Sequence, residues 1–227
     1  MFLLVRSLIN RKVKKRLEAI RRKQEIDALR ARISRDLHDS AGATLTKISM
    51  MGELAKLDLQ KKQDISGRLD LITASSRSLV DNFAEIIWAT NPQHDNLASL
   101  LSYIRTFISE FIDEIPIQVL FDFPEPVPDW NLKPDIRHNI FLIIKESVNN
   151  SVKHSKATML WISVKAEDRI LQLKVTDNGI GFDLASIRQF GCGIHSMQHR
   201  AEIIGSALLV ESTPGKGTTV ALSCHSY

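Results

Sequence analysis

Apolar residues recur at mostly three- and four-residue steps from Ile26 to Trp88, a spacing that places them on one face of a helix. The run Lys61-Lys62-Gln63-Asp64 interrupts this pattern, and Asn91-Pro92 ends it, because proline disfavours helix at the residue before it. We therefore expect two helices in an antiparallel hairpin, and two hairpins from two chains would form a dimeric four-helix bundle. The apolar stripes consist of Ile26, Leu29, Ile33, Leu37, Ala41, Leu45, Ile48, Ala55 and Leu59, and of Leu69, Ile72, Leu79, Phe83, Ile86 and Ile87.

The pattern changes after Pro92, where short alternating stretches lie between helical ones. Helices are predicted at 97–115, 134–154 and 193–204, and strands at 117–123, 158–166, 169–176, 207–212 and 218–223. This order predicts an α/β sandwich in which helices cover one face of a mixed sheet. The predicted fold class is therefore α + α/β, with a helical hairpin before the sandwich.

His38 is followed directly by Asp39 within the first helical stripe. A neutral imidazole, with an ordinary pKa near 6.5, has a ring-nitrogen lone pair that can attack phosphorus at cell pH. The neighbouring carboxylate can accept a hydrogen bond from the other ring N–H and stabilise the imidazolium that forms. Taken alone, the pair is more typical of an ordinary exposed helix. Because His38 lies off the centre of the stripe, we expect its ring to face solvent.

A second group of polar residues shares one face of the predicted helix 134–154. Glu146, Asn150 and the pair Lys153 and His154 follow one another at helical spacing. A carboxylate and an amide oxygen one turn apart can hold hydrated Mg²⁺, and a lysine can neutralise phosphate charge. An ordinary solvated face is the alternative for this group taken alone.

Glycine clusters follow the strand that ends near Thr176. Asp177 can accept a hydrogen bond from an adenine amino group, and neighbouring glycines allow close backbone approach. A glycine turn that leads into a helix suits an anionic phosphate. The clusters are Asp177-Asn178-Gly179-Ile180-Gly181, Gly191-Cys192-Gly193 and Gly215-Lys216-Gly217-Thr218-Thr219. Each alone indicates a turn, so their order and spacing carry the prediction.

The series from Glu146 to Thr219 resembles the N, G1 and G2 boxes of the GHKL ATP-binding fold. With Arg35-Asp36-Leu37-His38-Asp39, residues 26–223 resemble two-component sensor histidine kinases of the subfamily that pairs with LuxR/NarL-type response regulators. The resemblance implies a basic juxtamembrane or signalling helix at 1–25, a dimerisation and phosphotransfer hairpin at 26–92 and a catalytic ATP-binding domain at 93–227. A homodimer and a response regulator receiver domain are the implied partners.

The same resemblance assigns roles to individual residues. His38 is the implied phosphoacceptor, Asp39 and Glu146 are the implied catalytic acids, and Glu146 and Asn150 are the implied Mg²⁺ ligands. ATP and Mg²⁺ are the implied cofactors. The implied ATP-binding residues are Asn150, Lys153, His154, Asp177, Gly179, Gly181, Gly191, Gly193, Gly217 and Thr218.

One departure from the family pattern concerns dephosphorylation. Relatives that dephosphorylate their regulators often carry a glutamine four residues after the acid that follows the histidine, where this chain has Ala43. We therefore expect an enzyme biased towards the kinase reaction. Two alternatives remain open: a GHKL ATPase or serine kinase in which His38 is incidental, and a catalytically silent dimeric scaffold.

Positive charge is concentrated at the beginning of the chain. Residues 1–32 hold eleven Lys/Arg and three Asp/Glu, a local charge of +8 that leaves −4 for the rest of a chain with net charge +4. No groove with interleaved aromatic residues is indicated, so we do not expect direct nucleic-acid binding. The apolar start before Arg11 fits the end of a transmembrane helix, an amphipathic anchor or a connecting helix. We expect a cytoplasmic domain at the inner face of the membrane or, alternatively, a soluble protein.

Overall fold

The computed structural model describes residues 13–14, 41–61, 63–184 and 192–225. The chain divides into two compact units, Met1–Thr90 and Asn91–Tyr227. The predicted residues His38, Asp39 and Gly191 lie outside the described residues. Within the described part of the chain, no helix is long and apolar enough to cross a membrane.

The first unit contains two helices joined by a short turn. Helix α1 includes residues 41–60, and α2 extends over Ser66–Thr90. The Asp64 carboxylate accepts hydrogen bonds from the backbone N–H and the hydroxyl of Ser66, which stabilises the start of α2. Arg68 of α2 forms an ion pair with Asp58 of α1. Over the residues that the structure describes, from 41 onwards, helices are therefore present where the apolar stripes predict them.

Several members of both stripes are exposed in the single chain, although large apolar side chains favour burial. The exposed fraction is 51% for Leu45, 63% for Leu59 and 68% for Ile87. An apolar stripe of this kind is typical of a helix that packs against another helix.

The second unit contains three α-helices and five strands among its described residues. A short 3₁₀ turn, Pro92–His94, precedes them, and the elements are α3 Leu97–Phe111, β1 Gln118–Asp122, α4 Pro134–Asn150, a π turn Ser151–Ser155, β2 Met159–Glu167, β3 Ile170–Asp177, α5 Cys192–Ile203, β4 Ala207–Ser212 and β5 Thr218–His225.

The strands form one mixed sheet in the order β1-β2-β3-β5-β4. Only β1 and β2 are parallel among these neighbours, and the other pairs are antiparallel. Alternate residues of each central strand are buried, as in β3, where Leu171, Leu173 and Val175 are 5% exposed or less. Helix α4 packs against α3, α5 and β3. The predicted sandwich, with helices on one face of a mixed sheet, is confirmed.

Two helix ends differ from their predicted positions. The helix predicted to reach residue 115 ends at Phe111, because the chain turns before Pro116 and proline disfavours helix at the preceding residue. The helix predicted to reach residue 154 becomes a π turn after Asn150. Lys156, with φ +54°, ends this turn in the left-handed region.

Candidate active site

A cavity of about 600 Å³ lies between α4 with its π turn, the end of β3, the start of α5 and the adjoining ends of β4 and β5. This volume is typical of a small-molecule or cofactor site. Predicted site residues from four separate stretches of sequence line it together: Glu146, Asn150, Lys153, His154, Asp177, Gly181, Gly193 and Thr218. Gly179 and Gly217 adjoin it through Asp177, as described below.

Glu146 and Asn150 are half-buried and lie one turn apart on α4. Gly193 at the start of α5 packs so closely that a Cβ there would collide with Glu146 Oε1 and lie 3.3 Å from Asn150 Nδ2. Carboxylate and amide oxygens are ligands that Mg²⁺ prefers, and this ion ordinarily keeps waters and substrate phosphates as its remaining ligands. The donor pair therefore fits Mg²⁺ held jointly with a nucleotide.

Asp177 is the buried carboxylate of the cavity, with an exposed fraction of 4%. Its Oδ2 accepts a hydrogen bond from the Ser151 hydroxyl at 3.0 Å, and its Oδ1 accepts one from the Gly179 N–H at 2.9 Å. Both oxygens are therefore held in place by neutral donors. Because each carboxylate oxygen has two lone pairs, the group can still accept a further hydrogen bond from a ligand amino group.

Gly217 allows β5 to begin directly beside Asp177. Its φ is +77°, and a Cβ at this position would collide with the Asp177 carbonyl oxygen. An L-residue with a side chain would therefore be strained in its backbone and would also displace the end of β3. Gly217 does not line the cavity but sets the position of two residues that do, Asp177 and Thr218.

The loop after Asp177 is hydrogen-bonded on both sides. The Ile180 N–H donates to the Ser155 carbonyl at 2.7 Å, and the Ile180 carbonyl accepts from the Gly215 N–H at 2.6 Å. The Phe182 N–H donates to the Ser212 hydroxyl at 2.9 Å. This loop is therefore fixed between the π turn and the β4–β5 turn up to Phe182.

Lys153 and His154 are exposed residues of the π turn and lie at the edge of the cavity. A cationic side chain at such an edge can neutralise the charge of a phosphate without being desolvated.

Sequence reasoning missed a row of serines on α4 and the π turn. Ser147, Ser151 and Ser155 are buried, and each hydroxyl donates to the carbonyl four residues earlier, at 2.8, 3.1 and 2.6 Å. Their four-residue spacing was the available signal, because it places them on one helix face beside Glu146 and Asn150. The apolar lining was also missed: Val175, Ile180, Phe182, Ile194, Met197, Val210 and Val220.

Asn178 has a structural role that the glycine cluster did not indicate. Its side-chain oxygen accepts hydrogen bonds from the N–H groups of Thr158 and Met159 at 3.0 and 2.9 Å. It thus joins the turn after β3 to the start of β2.

Comparison with known proteins agrees with this geometry. The family model described as Histidine kinase-, DNA gyrase B-, and HSP90-like ATPase matches residues 136–226, and a second, described as Histidine kinase, matches residues 30–95. This chain belongs to the histidine kinase family. Within that family it is of the HisKA_3 type, with an ATPase domain after the helical domain.

Two relatives of this histidine kinase can be aligned with it over similar numbers of residues. Sensor histidine kinase LiaS of Bacillus subtilis is 27% identical over 204 residues, which are 89% of this chain and 56% of the relative. Sensor protein VraS of Staphylococcus saprophyticus is 27% identical over 202 residues, 87% of this chain and 56% of the relative. The chain thus spans little more than half the length of these relatives.

Solved histidine kinase structures share the fold. The histidine kinase domain of the Erythrobacter litoralis EL346 blue-light activated histidine kinase has a TM-score of 0.53 and 13% identity, covering 86% of this chain and 94% of that one. Acinetobacter baumannii histidine kinase AdeS has a TM-score of 0.57 and 11% identity, covering 80% and 95%.

Proposed function

We propose that this chain is the catalytic core of a sensor histidine kinase, which transfers the γ-phosphoryl group of ATP to His38 and then to an aspartate of a response regulator. The observation that carries the proposal is that Glu146, Asn150 and Asp177, from two separate motifs, line one cavity. The alternative of a catalytically silent scaffold is disfavoured, because a scaffold does not require these donor residues and the close-packed glycines to meet in one cavity.

Each part of the nucleotide has a matching group in the cavity. The adenine amino group donates to Asp177, whose orientation Ser151 and Gly179 set. Lys153 neutralises phosphate charge at the cavity edge, and His154 lies beside it in the sequence. Gly181, Gly193 and Thr218 also line the cavity. The resemblance assigns Gly191 to the ATP-binding residues as well, and it lies outside the described residues.

Glu146 and Asn150 would hold Mg²⁺, which would neutralise the charge that develops on the phosphate oxygens. The protein's own contribution is then to hold the two oxygen donors one helical turn apart and to exclude other side chains from the space that Gly193 leaves. Positioning and charge neutralisation account for most of the catalysis in phosphoryl transfer.

The phosphoacceptor step uses the first unit. An unprotonated ring nitrogen of His38 attacks the γ-phosphorus, the bond to the ADP oxygen breaks, and the new imidazolium donates its other N–H to Asp39. The aspartate of the receiver domain then attacks the phosphohistidine, which returns His38 to its neutral state. A receiver domain of the LuxR/NarL type is the proposed partner.

The exposed apolar stripe on α1 and α2 supports a homodimer. Two hairpins that pair through this stripe would remove large apolar side chains from water, each contributing about 1.5–3 kcal/mol when fully buried. The proposed boundaries are a phosphotransfer hairpin at 26–92 and a catalytic domain at 93–227. The basic segment 1–25 would lie at the inner face of a membrane, where positive charge favours anionic lipid. This role needs no nucleic acid.

The test is incubation of the chain with γ-labelled ATP and Mg²⁺. We expect label on the wild-type protein and none on Asn150→Ala, because the ligand pair for Mg²⁺ is lost, or on His38→Gln, because the acceptor is lost. The His38→Gln variant must still bind ATP with the wild-type Kd, since the residues proposed to bind ATP all belong to the second unit. Label that persists on His38→Gln would favour the serine kinase, and ATP hydrolysis without label would favour the ATPase.

A further inference from the structure

Arg137 is a charged residue with no exposed surface, at the beginning of α4. Its Nη1 donates to Asp95 Oδ1 at 2.8 Å, and its Nη2 lies 3.4 Å from the Asn91 carbonyl oxygen. Asp95 and Asn91 belong to residues 91–95, the segment that directly follows α2. We call this segment the linker.

Backbone hydrogen bonds hold the linker along the same course. The Leu132 N–H donates to the Asp95 carbonyl at 3.1 Å, and the Leu97 N–H donates to the Trp130 carbonyl at 2.9 Å. Asn96 and Asn131 form an isolated antiparallel bridge between these two contacts. The linker is thus paired with the segment that leads into α4.

Helix α4 connects this contact to the nucleotide cavity. At 1.5 Å per residue, Glu146 lies about 13 Å along the helix from Arg137, and Asn150 about 20 Å. The intervening residues Ile140, Phe141 and Ile144 are 2% exposed or less, so the helix is packed along its length. The helix is therefore a rigid element that carries the linker contact at one end and Glu146 and Asn150 at the other, because packed cores deform little.

An ion pair of this kind adds little net stability. Removing the Arg137 guanidinium from water costs free energy that its attraction to Asp95 largely offsets, so an apolar residue would serve stability as well. The best-attested use of a buried pair is to select one arrangement among several. Here the arrangement selected is the course of the linker against α4.

We propose that Arg137 is a positioning residue for phosphoryl transfer: with Asp95 it fixes the course of the linker against the helix that carries Glu146 and Asn150. This inference rests on the proposed kinase function. It predicts that loss of the pair separates nucleotide binding, which needs only the cavity, from transfer to His38, which also needs a defined linker.

The test compares wild-type protein with Arg137→Met, which keeps most of the side-chain volume. At saturating ATP we expect the rate of His38 phosphorylation to fall about tenfold or more, while the KM for ATP stays within about twofold. Arg137→Lys, which keeps one contact to Asp95, should recover part of the rate. Val164→Ala is the control, since it removes buried volume in β2 away from the cavity and the linker. It should lower the Tm, but it should not lower the rate of His38 phosphorylation while leaving the KM for ATP unchanged.

A second measurement does not depend on activity. Hydrogen exchange of the Leu97 and Leu132 amides should become at least about tenfold faster in Arg137→Met, while exchange of the Gly179 amide at the cavity stays unchanged. If Arg137→Met does not fold, Asp95→Asn is measured in the same way, because its amide oxygen retains a weaker contact.

Each outcome decides one statement. The positioning role would be overturned if hydrogen exchange of the linker amides were unchanged. It would also be overturned if the KM for ATP rose by the same factor as the rate of His38 phosphorylation fell. A wild-type chain that binds ATP but forms no phosphohistidine would instead overturn the kinase function, whatever the linker amides do.

Discussion

The Ser151 hydroxyl lies 3.0 Å from Asp177 Oδ2 and 3.1 Å from the Ser147 carbonyl oxygen, so one proton has two acceptors. Donation to the carboxylate holds Asp177 in the orientation that faces the cavity, because the Gly179 N–H already binds its other oxygen. A residue that does not itself need to touch the nucleotide thereby controls the group proposed to recognise adenine.

Ser151→Ala should weaken ATP binding by about 10- to 150-fold, because a hydrogen bond to a charged group contributes roughly 1.5–3 kcal/mol. The loss of affinity should be much smaller for purine riboside triphosphate, which lacks the amino group from which Asp177 would accept a hydrogen bond. Titration calorimetry with both nucleotides measures the difference. Ser147→Ala is the matched control, since its hydroxyl contacts Ile143 and Met197 and not Asp177. Equal losses for the two nucleotides would show that Ser151 only supports the helix.

Gly193→Ala should raise the Mg²⁺ concentration needed for half-maximal activity by about tenfold, an effect of roughly 1.4 kcal/mol. The added Cβ would occupy the place of Glu146 Oε1, so the carboxylate or the start of α5 must move. Gly52→Ala, in a helix position with no atom within 4 Å of the added Cβ, is the control. It should leave the Mg²⁺ dependence unchanged. An unaltered Mg²⁺ dependence in Gly193→Ala would remove Glu146 from the ion's ligands.

His138 predicts a pH dependence of stability. Burial lowers the pKa of His138 to about 4, and the positive charges of Arg200, Arg137 and Lys145 act in the same direction. Since a histidine in the unfolded chain has a pKa near 6.5, only the unfolded state gains the proton between about pH 6.5 and 4. The free energy of unfolding should therefore decrease as the pH falls through this range, by about 1–3 kcal/mol.

His138→Phe should remove that part of the pH dependence at little cost near pH 7. The buried Nδ1 of His138 has no hydrogen-bond partner among the residues that the structure describes, so phenylalanine loses no contact there. Urea unfolding of both proteins from pH 4 to 7.5 measures the effect. The exposed His195 provides the control, His195→Gln, which should keep the wild-type profile. Parallel curves for wild type and His138→Phe would refute the assignment.

Ala43→Gln should introduce or increase dephosphorylation of the partner regulator. Ala43 is exposed on α1, five residues after the proposed phosphoacceptor, so a glutamine there has room to orient an attacking water. The half-life of a phosphorylated receiver domain in the presence of ADP should shorten several-fold with the variant and change little with wild type. A wild-type chain that already removes the phosphate rapidly would contradict the predicted kinase bias.

Much of the fold could be predicted because its elements leave local signals. Alternation of apolar residues defined the strand at 207–212, and proline and asparagine marked the end of α2. The π turn had no such signal, and the hydrogen bond between Ser151 and Asp177 joins residues 26 positions apart, which no local pattern predicts. The site residues with charged or glycine motifs were recognisable, whereas Ser151 resembled any helix serine.

The buried pair of Arg137 and Asp95 could not be predicted from the sequence for the same reason. The two residues are 42 positions apart, and an arginine near the start of a helix is ordinarily expected on the surface. Only the pairing of the linker with residues 130–132 brings Asp95 to the place where it can compensate the buried charge.

The most direct measurement is to locate the transferred phosphoryl group. The wild-type chain is incubated with Mg-ATP, digested under alkaline conditions and mapped by mass spectrometry, with a matched sample treated with acid. We predict a phosphoryl group on His38 that acid removes and base does not. A phosphoryl group that survives acid and maps to Ser40, Thr44 or another hydroxyl residue would contradict the account.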